Sequence, residues 1–159
     1  MDVVYVLGIG SPWQDNELRY SLRSVQQYLK DFDRVFIVGE RPAWLQNIVH
    51  VPCRDGSQKE RNIMEKILKV CATDVSDDFF FLNDDHFLLQ ETSTINFPYY
   101  YTGTLEETAS TRHYMKPYTH SLRNTQSALM KNNYPQNYYD IHTPIVYSKK
   151  DFSIVMAMY

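Results

Sequence analysis

A run of acidic residues behind an apolar segment is the part of the sequence best suited to chemistry. Residues 79–82 are apolar and lead directly into Asn83, Asp84 and Asp85. The stretch from residue 74 to residue 91 holds six carboxylates and neither lysine nor arginine. Carboxylate and amide oxygens suit a hard divalent cation, which can also bridge the phosphate oxygens of a nucleotide. The run predicts a site for Mn2+ or Mg2+, and a solvated turn is the alternative.

The expected orientation of these three residues follows from strand geometry. Successive side chains of a strand face opposite sides of the sheet. If the strand continued past residue 82, Asn83 and Asp85 would share one side and Asp84 would face the other. We therefore expect that the three residues cannot be equivalent metal ligands. Asp84 and Asp85 are the candidate ligands, and Asn83 is a candidate contact for the substrate.

Two pairs of basic residues are candidates for contact with a phosphate or carboxylate group. Arg19 and Arg23 are four residues apart near the start of an expected helix, so they share one face beside backbone N–H groups that favour an anion. Lys59 and Arg61 stand at the start of a second expected helix, where they could contact a nucleotide. The alternative for both pairs is ordinary charge on a helix surface.

A histidine near the C-terminal end is the candidate base. His142 precedes Thr143 and Pro144, and proline restricts the geometry of the preceding residue, which gives this turn a fixed shape. A neutral imidazole there could complete the metal shell or accept a proton from an acceptor hydroxyl. A purely structural histidine is the alternative.

The elements that must position these residues alternate between two periodicities. Continuous apolar runs predict strands, and apolar residues repeating every three to four positions predict amphipathic helices. The predicted strands are residues 3–8, 34–38, 48–51 and 79–82, and the predicted helices are residues 17–30 and 59–72. This order predicts an α/β fold with a mostly parallel sheet, in which ligands gather outside the carboxyl ends of the strands.

The sequence changes character after residue 91. Tyrosines stand among asparagine, threonine, histidine and proline without a clear period. We expect short elements and loops there, followed by a last strand at residues 140–147, which Pro144 confines to an edge or a strand end. We expect one domain, residues 1–159, with a ligand-binding half at 1–91 and an acceptor-side half at 92–159.

Composition excludes several classes of partner. The chain has 159 residues and a formal net charge of −3, so it lacks the basic excess of a general nucleic-acid binder. Its apolar stretches are far shorter than the roughly 20 residues that cross a bilayer. The N-terminus has no pattern of a secretory signal, so we expect a cytoplasmic protein. The two cysteines, Cys53 and Cys71, have no zinc-binding spacing.

Four segments together resemble a known family. DVVYVLG, DNELRYSLRS, RVFIVGERPAWL and FFFLNDDHFLL occur in this order within residues 2 to 89. They resemble the Stealth proteins, which are capsular-polysaccharide and hexose-1-phosphate phosphotransferases. The resemblance implies a Rossmann-like core of the GT-A type, a nucleotide-sugar donor and a carbohydrate acceptor. It also implies that Asn83, Asp84 and Asp85 match the metal and sugar-diphosphate motif, Arg19 and Arg23 the arginines of the first helix, and His142 a histidine before the last core strand.

The sequence also departs from this family. The acidic or amide residue of the family's opening motif is absent from residues 7–10, unless Asp15 replaces it, and no counterpart of the C-terminal motif is present. We therefore expect a metal-dependent glycosyltransferase in which Asp85 and His142 are the catalytic residues. The alternatives are a sugar-1-phosphate transferase and a non-catalytic nucleotide- or glycan-binding module. A metal nuclease would need further carboxylates and a basic groove, which the sequence lacks.

Overall fold

A computed structural model describes residues 1–11, 13–56, 59–111 and 116–157; residues 59 and 60 are described as helix without their side chains. The chain forms two compact units, of which one comprises Met1–Pro98 with Thr143–Tyr159 and the other comprises Tyr99–His142. In chain order the elements are β1 (Asp2–Leu7), α1 (Asn16–Tyr28), β2 (Leu29–Lys30), β3 (Val35–Gly39), β4 (Val49–Val51), α2 (Lys59–Cys71), β5 (Asp78–Leu82), β6 (Thr92–Ser93), α3 (Leu105–Ser110), α4 (Pro117–Lys131), β7 (Ile145–Ser148) and α5 (Lys149–Met156).

The first unit is built on a mostly parallel sheet. Its strand order is β4-β3-β1-β5-β7, with β7 antiparallel to β5 and the other neighbours parallel. β2 and β6 form a separate short parallel pair. The predicted α/β class with a mostly parallel sheet flanked by helices is confirmed, and the arrangement is compatible with a Rossmann-like fold.

Helices bury both faces of the central strand. Alternate residues of β1 point to opposite faces, so Val3 and Tyr5 pack with α1 residues such as Val25, while Val4 packs with α2 residues such as Val70. Both faces are buried because a parallel sheet is covered on its two sides. This burial explains why β1 reads as a continuous apolar run rather than an alternating one.

The topology creates a crevice between β1 and β5. After β1 the chain forms β3 and β4 on one side, and it then returns to place β5 on the other side of β1. Such a reversal of strand order leaves space at the carboxyl ends of the two strands, where α/β proteins bind ligands. β1 ends at Leu7 and β5 ends at Leu82, so the segments that follow these residues border the crevice.

The second unit is more helical than the sequence predicts. The expectation of short elements and loops is wrong for α4, which spans 15 residues. Among the described residues of this unit, Leu105, Leu122 and Tyr138 form a buried apolar cluster. The apolar period of α4 is weak in the sequence, because this helix buries just Thr119 and Leu122 among its own residues.

β7 begins directly after Pro144 and lies at the edge of the sheet. This position is the one expected for a strand limited by proline. Among the described residues, no helix has both the length and the apolar character needed to cross a membrane.

Candidate metal centre

A cavity of about 290 Å3 lies at the crevice between β1 and β5. The segment after β1, the start of α1, the residue after β3 and the turn after β5 all contribute to its wall. No lysine or arginine is among its described lining residues, whereas five carboxylates are: Asp15, Glu17, Glu40, Asp84 and Asp85. The cavity is therefore a strongly acidic site within the first unit.

The acidic run forms a turn rather than an extension of β5. The His86 N–H donates to the carbonyl oxygen of Asn83 over 3.2 Å, which closes the turn. Our expectation from strand alternation is wrong, because the regular ladder ends at Leu82. As a result Asp84 and Asp85 both line the cavity, whereas Asn83 is not among the lining residues.

The electrostatics of Asp84 reflect this crowding. Its pKa is raised, first by burial and then by the neighbouring charge of Asp85, with smaller contributions from Glu17 and Asp15. Both causes disfavour an ionised carboxylate. A cation placed among these groups would relieve the repulsion between them, so the cavity fits a positively charged ligand.

The side chains of Asp55 and Lys66 form hydrogen bonds with the backbone at the end of β1 and in the loop that follows it. The Ile9 N–H donates to Asp55 Oδ2 over 3.2 Å, and the Lys66 ammonium donates to the Leu7 carbonyl oxygen over 2.6 Å. Lys66 also pairs with Asp55. These contacts fix one wall of the cavity, because Leu7, Gly8 and Ile9 all line it.

The predicted metal ligands belong to different units. Asp84 and Asp85 lie in the first unit, with His86 beside them in the chain, and His142 is the last residue of the second unit. Asp85 and His142 are exposed, and His86 is buried.

The hydrogen bonding of His86 restricts its role. The Asn83 backbone N–H donates to His86 Nδ1 over 3.1 Å. A neutral imidazole that accepts at Nδ1 carries its proton on Nε2, so Nε2 is a donor and has no lone pair for a metal. Metal-bound histidines normally donate from their second nitrogen, which is the opposite arrangement. Asp84 and Asp85 thus fit a cation better than His86 does.

The predicted arginines lie outside the cavity lining. The guanidinium of Arg19 stacks over the Trp44 ring, 3.8 Å from its centroid, and that of Arg23 lies 5.8 Å from the centroid of the Tyr20 ring. Neither arginine forms an ion pair with an acid among the described residues. Arg19 is the better placed of the two, because Glu17 and Leu18 beside it line the cavity.

Of the two basic residues predicted to contact a nucleotide from the start of α2, Arg61 lies outside the described lining of the cavity. Arg61 forms an exposed ion pair with Glu65 over 2.7 Å, one helical turn away. That contact matches the alternative of surface charge. Lys59 is the first residue of α2, and its side chain lies outside the described residues.

Three acids of the cavity were not singled out as ligands from the sequence. Glu40 follows the carboxyl end of β3, so the rule that pointed to Asp84 could have found it. Asp15 and Glu17 belong to the N-terminal end of α1, and Glu17 accepts a hydrogen bond from Ser11 Oγ over 3.1 Å. The sequence points to Asp15 as a possible replacement for the missing acid of the opening motif.

Neither the protein-family models nor the curated proteins contain a match to this chain.

Proposed function

We propose that this chain binds Mn2+ or Mg2+ in the acidic cavity and uses it to hold the diphosphate of a nucleotide-sugar, whose sugar it transfers to a carbohydrate hydroxyl. The observation that carries the proposal is the lining of the cavity, which has five carboxylates and no described lysine or arginine. A diphosphate would be repelled by this lining unless a cation came between them. Asp84 and Asp85 are the proposed ligands.

The position of the cavity supports a nucleotide ligand. It lies at the carboxyl ends of β1 and β5, where the strand order reverses, and nucleotides bind at such points in α/β folds. The resemblance of the four sequence segments to the Stealth proteins points in the same direction, to a GT-A type core with a sugar-nucleotide donor. The antiparallel edge strand β7 beside the parallel strands is compatible with that core.

Each residue has a defined role in the proposed reaction. A bound divalent cation would supply positive charge that stabilises the departing diphosphate. Asp84 and Asp85 hold and orient that charge, and Arg19 presents its guanidinium to a phosphate oxygen. Asn83 lies beside the ligands as a contact for the substrate, and Arg23 is a weaker candidate for a phosphate contact.

His142 is the proposed general base. The acceptor hydroxyl attacks the anomeric carbon and gives its proton to His142, while the bond from that carbon to the phosphate oxygen breaks. The electron pair of the broken bond leaves with the nucleoside diphosphate.

One observation favours sugar-phosphate transfer as the second candidate. The acid of the family's opening motif is missing from residues 7–10, but Asp15 lines the same cavity as Asp84 and Asp85. Asp15 could therefore supply the missing carboxylate. In this reaction the diphosphate itself breaks, and nucleoside monophosphate is released.

A product assay separates these functions. The protein is incubated with Mn2+, a panel of sugar nucleotides and oligosaccharide acceptors, and the released nucleotides are resolved by chromatography. We expect metal-dependent nucleoside diphosphate, lost in Asp85→Asn and retained in Asp77→Asn, an exposed acid just before β5. Nucleoside monophosphate would instead establish the second candidate. Mn2+ binding without product from any donor would indicate a binding module, and absence of Mn2+ binding would refute the whole proposal.

A further inference from the structure

Two serines of α1 contact the backbone of the acidic turn. Ser21 is fully buried, and its hydroxyl donates to the His86 carbonyl oxygen over 2.6 Å. Ser24 Oγ accepts from the Leu88 N–H over 2.9 Å. The first contact lies directly after Asp84 and Asp85 in the chain, and the second lies two residues further on. α1 is therefore joined by hydrogen bonds to the segment that leaves the turn.

The direction of each hydrogen bond in this network is fixed by counting protons. Ser21 uses its only hydroxyl proton on His86, so the Tyr5 hydroxyl, 2.8 Å from Ser21 Oγ, must be the donor between these two groups. Ser24 donates its proton to the Ser21 carbonyl oxygen over 2.7 Å and is free to accept from Leu88. A network in which every donor has an acceptor is rigid, because each group holds the next in one orientation.

The histidine ring closes the other side of the same turn. The Asn83 N–H donates to His86 Nδ1, and the His86 N–H donates to the Asn83 carbonyl oxygen. The backbone between these residues is therefore held from within the turn as well as from α1. Asp84 and Asp85 lie between the fixed points, and neither serine is among the cavity lining.

We propose that Ser21 and Ser24 are positioning residues, whose hydroxyls hold the turn of Asp84, Asp85 and His86 in the geometry that binds a divalent cation. This inference rests on the proposed function, because it assigns a purpose to the rigidity of the turn. Groups that orient metal ligands from behind change metal affinity about 10- to 100-fold when they are removed. The same range is expected here.

Ser24 offers a matched pair of variants. Ser24→Thr keeps the hydroxyl, and Ser24→Val introduces a side chain of the same shape as threonine but without a hydroxyl. A difference between the two variants therefore reports the hydrogen bonds rather than packing or helix propensity. Titrating Mn2+ alone into each protein, with free Mn2+ followed by electron paramagnetic resonance, should give a Kd at least about tenfold higher for the valine variant than for the threonine variant. Equal affinities in the two variants would overturn the inference.

A second measurement does not depend on metal. In the metal-free protein the amide proton of Leu88 should exchange with solvent faster in Ser24→Val than in Ser24→Thr, because its acceptor has been removed. Ser127→Val serves as a control for Leu88 exchange, since the Ser127 hydroxyl donates to the Arg123 carbonyl oxygen over 2.9 Å within α4. Wild-type protein without affinity for Mn2+ would refute the proposed function and with it the role in metal binding, whereas the Leu88 exchange rates would still show whether Ser24 holds the turn.

A third comparison separates the contact between Ser21 and the turn from the contact between Tyr5 and Ser21. Ser21→Ala removes the hydroxyl that donates to the His86 carbonyl oxygen, whereas Tyr5→Phe leaves the Ser21 contact to His86 in place. The Kd for Mn2+ should therefore rise about tenfold in Ser21→Ala and change much less in Tyr5→Phe. An equal rise in both variants would contradict a specific role for Ser21.

Discussion

Lys66 and Asp55 form an ion pair beneath the loop that follows β1. The side chain of Lys66 is 4% exposed and that of Asp55 is 20% exposed. Lys66 also donates to the Leu7 carbonyl oxygen, and Asp55 accepts from the Ile9 N–H. A charge pair in this place connects α2 to one wall of the acidic cavity, since both backbone groups belong to lining residues.

Removing the base of this pair should be strongly destabilising. In Lys66→Met the charge of Asp55 remains partly buried without its partner, and breaking such a pair costs about 3–5 kcal/mol. We expect the free energy of unfolding, measured with denaturant, to fall by about 3 kcal/mol. The control is Lys69→Met, an exposed position on the same helix, which should change little. Similar losses in both variants would contradict a specific role for the pair.

Gly39 should tolerate no side chain. Its φ is +114°, and an added Cβ would lie 2.1 Å from the Leu7 carbonyl oxygen and about 3.0 Å from Lys66 Cε. Gly39→Ala would therefore clash with the backbone of β1 and disturb the base of the loop. Gly10→Ala is the matched control, because Gly10 also has a positive φ, +70°, but nothing within 4 Å of the added atom.

The two glycine variants can be compared by thermal unfolding. Gly10→Ala carries only the cost of the left-handed conformation, about 1–2 kcal/mol. Gly39→Ala adds a backbone clash to that cost, so its melting temperature should be much lower or its folded yield lost. Equal melting temperatures would show that the sheet moves to make room for the Cβ.

Neutralising Asp84 should stabilise the metal-free protein. Its pKa is raised in the folded state, so ionisation near neutral pH costs stability, and that cost disappears as the pH falls through the raised pKa. Asp84→Asn removes the charge, and at pH 7 its melting temperature should rise by about 2–4 °C for each kcal/mol gained. The advantage over wild type should vanish below the unfolded pKa of about 3.9.

Mn2+ should reverse the order of the melting temperatures of wild type and Asp84→Asn. A ligand that binds only the folded state raises its stability, so the melting temperature of wild type should increase with Mn2+ while that of Asp84→Asn should respond much less. Asp77→Asn keeps the cavity intact and should respond like wild type. A lower melting temperature for metal-free Asp84→Asn would mean that a contact of the Asp84 carboxylate stabilises the folded protein more than repulsion from the neighbouring carboxylates destabilises it.

Arg19 should matter more than Arg23 for binding a nucleoside diphosphate. The guanidinium carbon of Arg19 lies over the Trp44 ring, 3.8 Å from its centroid, and this cation–π contact favours one position of the side chain. Calorimetry with uridine or cytidine diphosphate and Mn2+ should show about tenfold weaker binding for Arg19→Ala, the loss expected for about 1.4 kcal/mol. Arg23→Ala should have a smaller effect. Equal and negligible changes would assign both residues to surface charge.

The sequence alone determined six elements of the first unit. The predicted strand at residues 79–82 corresponds to β5, the predicted helix at residues 59–72 corresponds to α2, and the other predicted strands and helix lie within a few residues of β1, β3, β4 and α1. These predictions succeed because a strand buried on both faces must be apolar throughout, and a helix buried on one face must be apolar every three to four residues. Both requirements are local and can be read without the fold.

The side-chain orientation in the turn of Asp84 and Asp85 does not follow from the local sequence. The acidic run itself is visible in the sequence, and so is its place after a buried strand. The orientation of its side chains is not, because alternation holds only while the ladder of hydrogen bonds continues, and that ladder stops at Leu82. The contacts from His86 and Ser21 then decide how the turn is held.

Only the tertiary structure decided which distant groups meet at the cavity. Asp15, Glu17 and Glu40 join Asp84 because β1 lies between β3 and β5, so the carboxyl ends of all three strands share one edge of the sheet. The partners of Lys66 and Ser21 depend in the same way on how α2 and α1 pack over that edge. The spacing of apolar residues along an element indicates which face of that element each side chain lies on. Its partner on another element is set by the order of the strands, which no local pattern records.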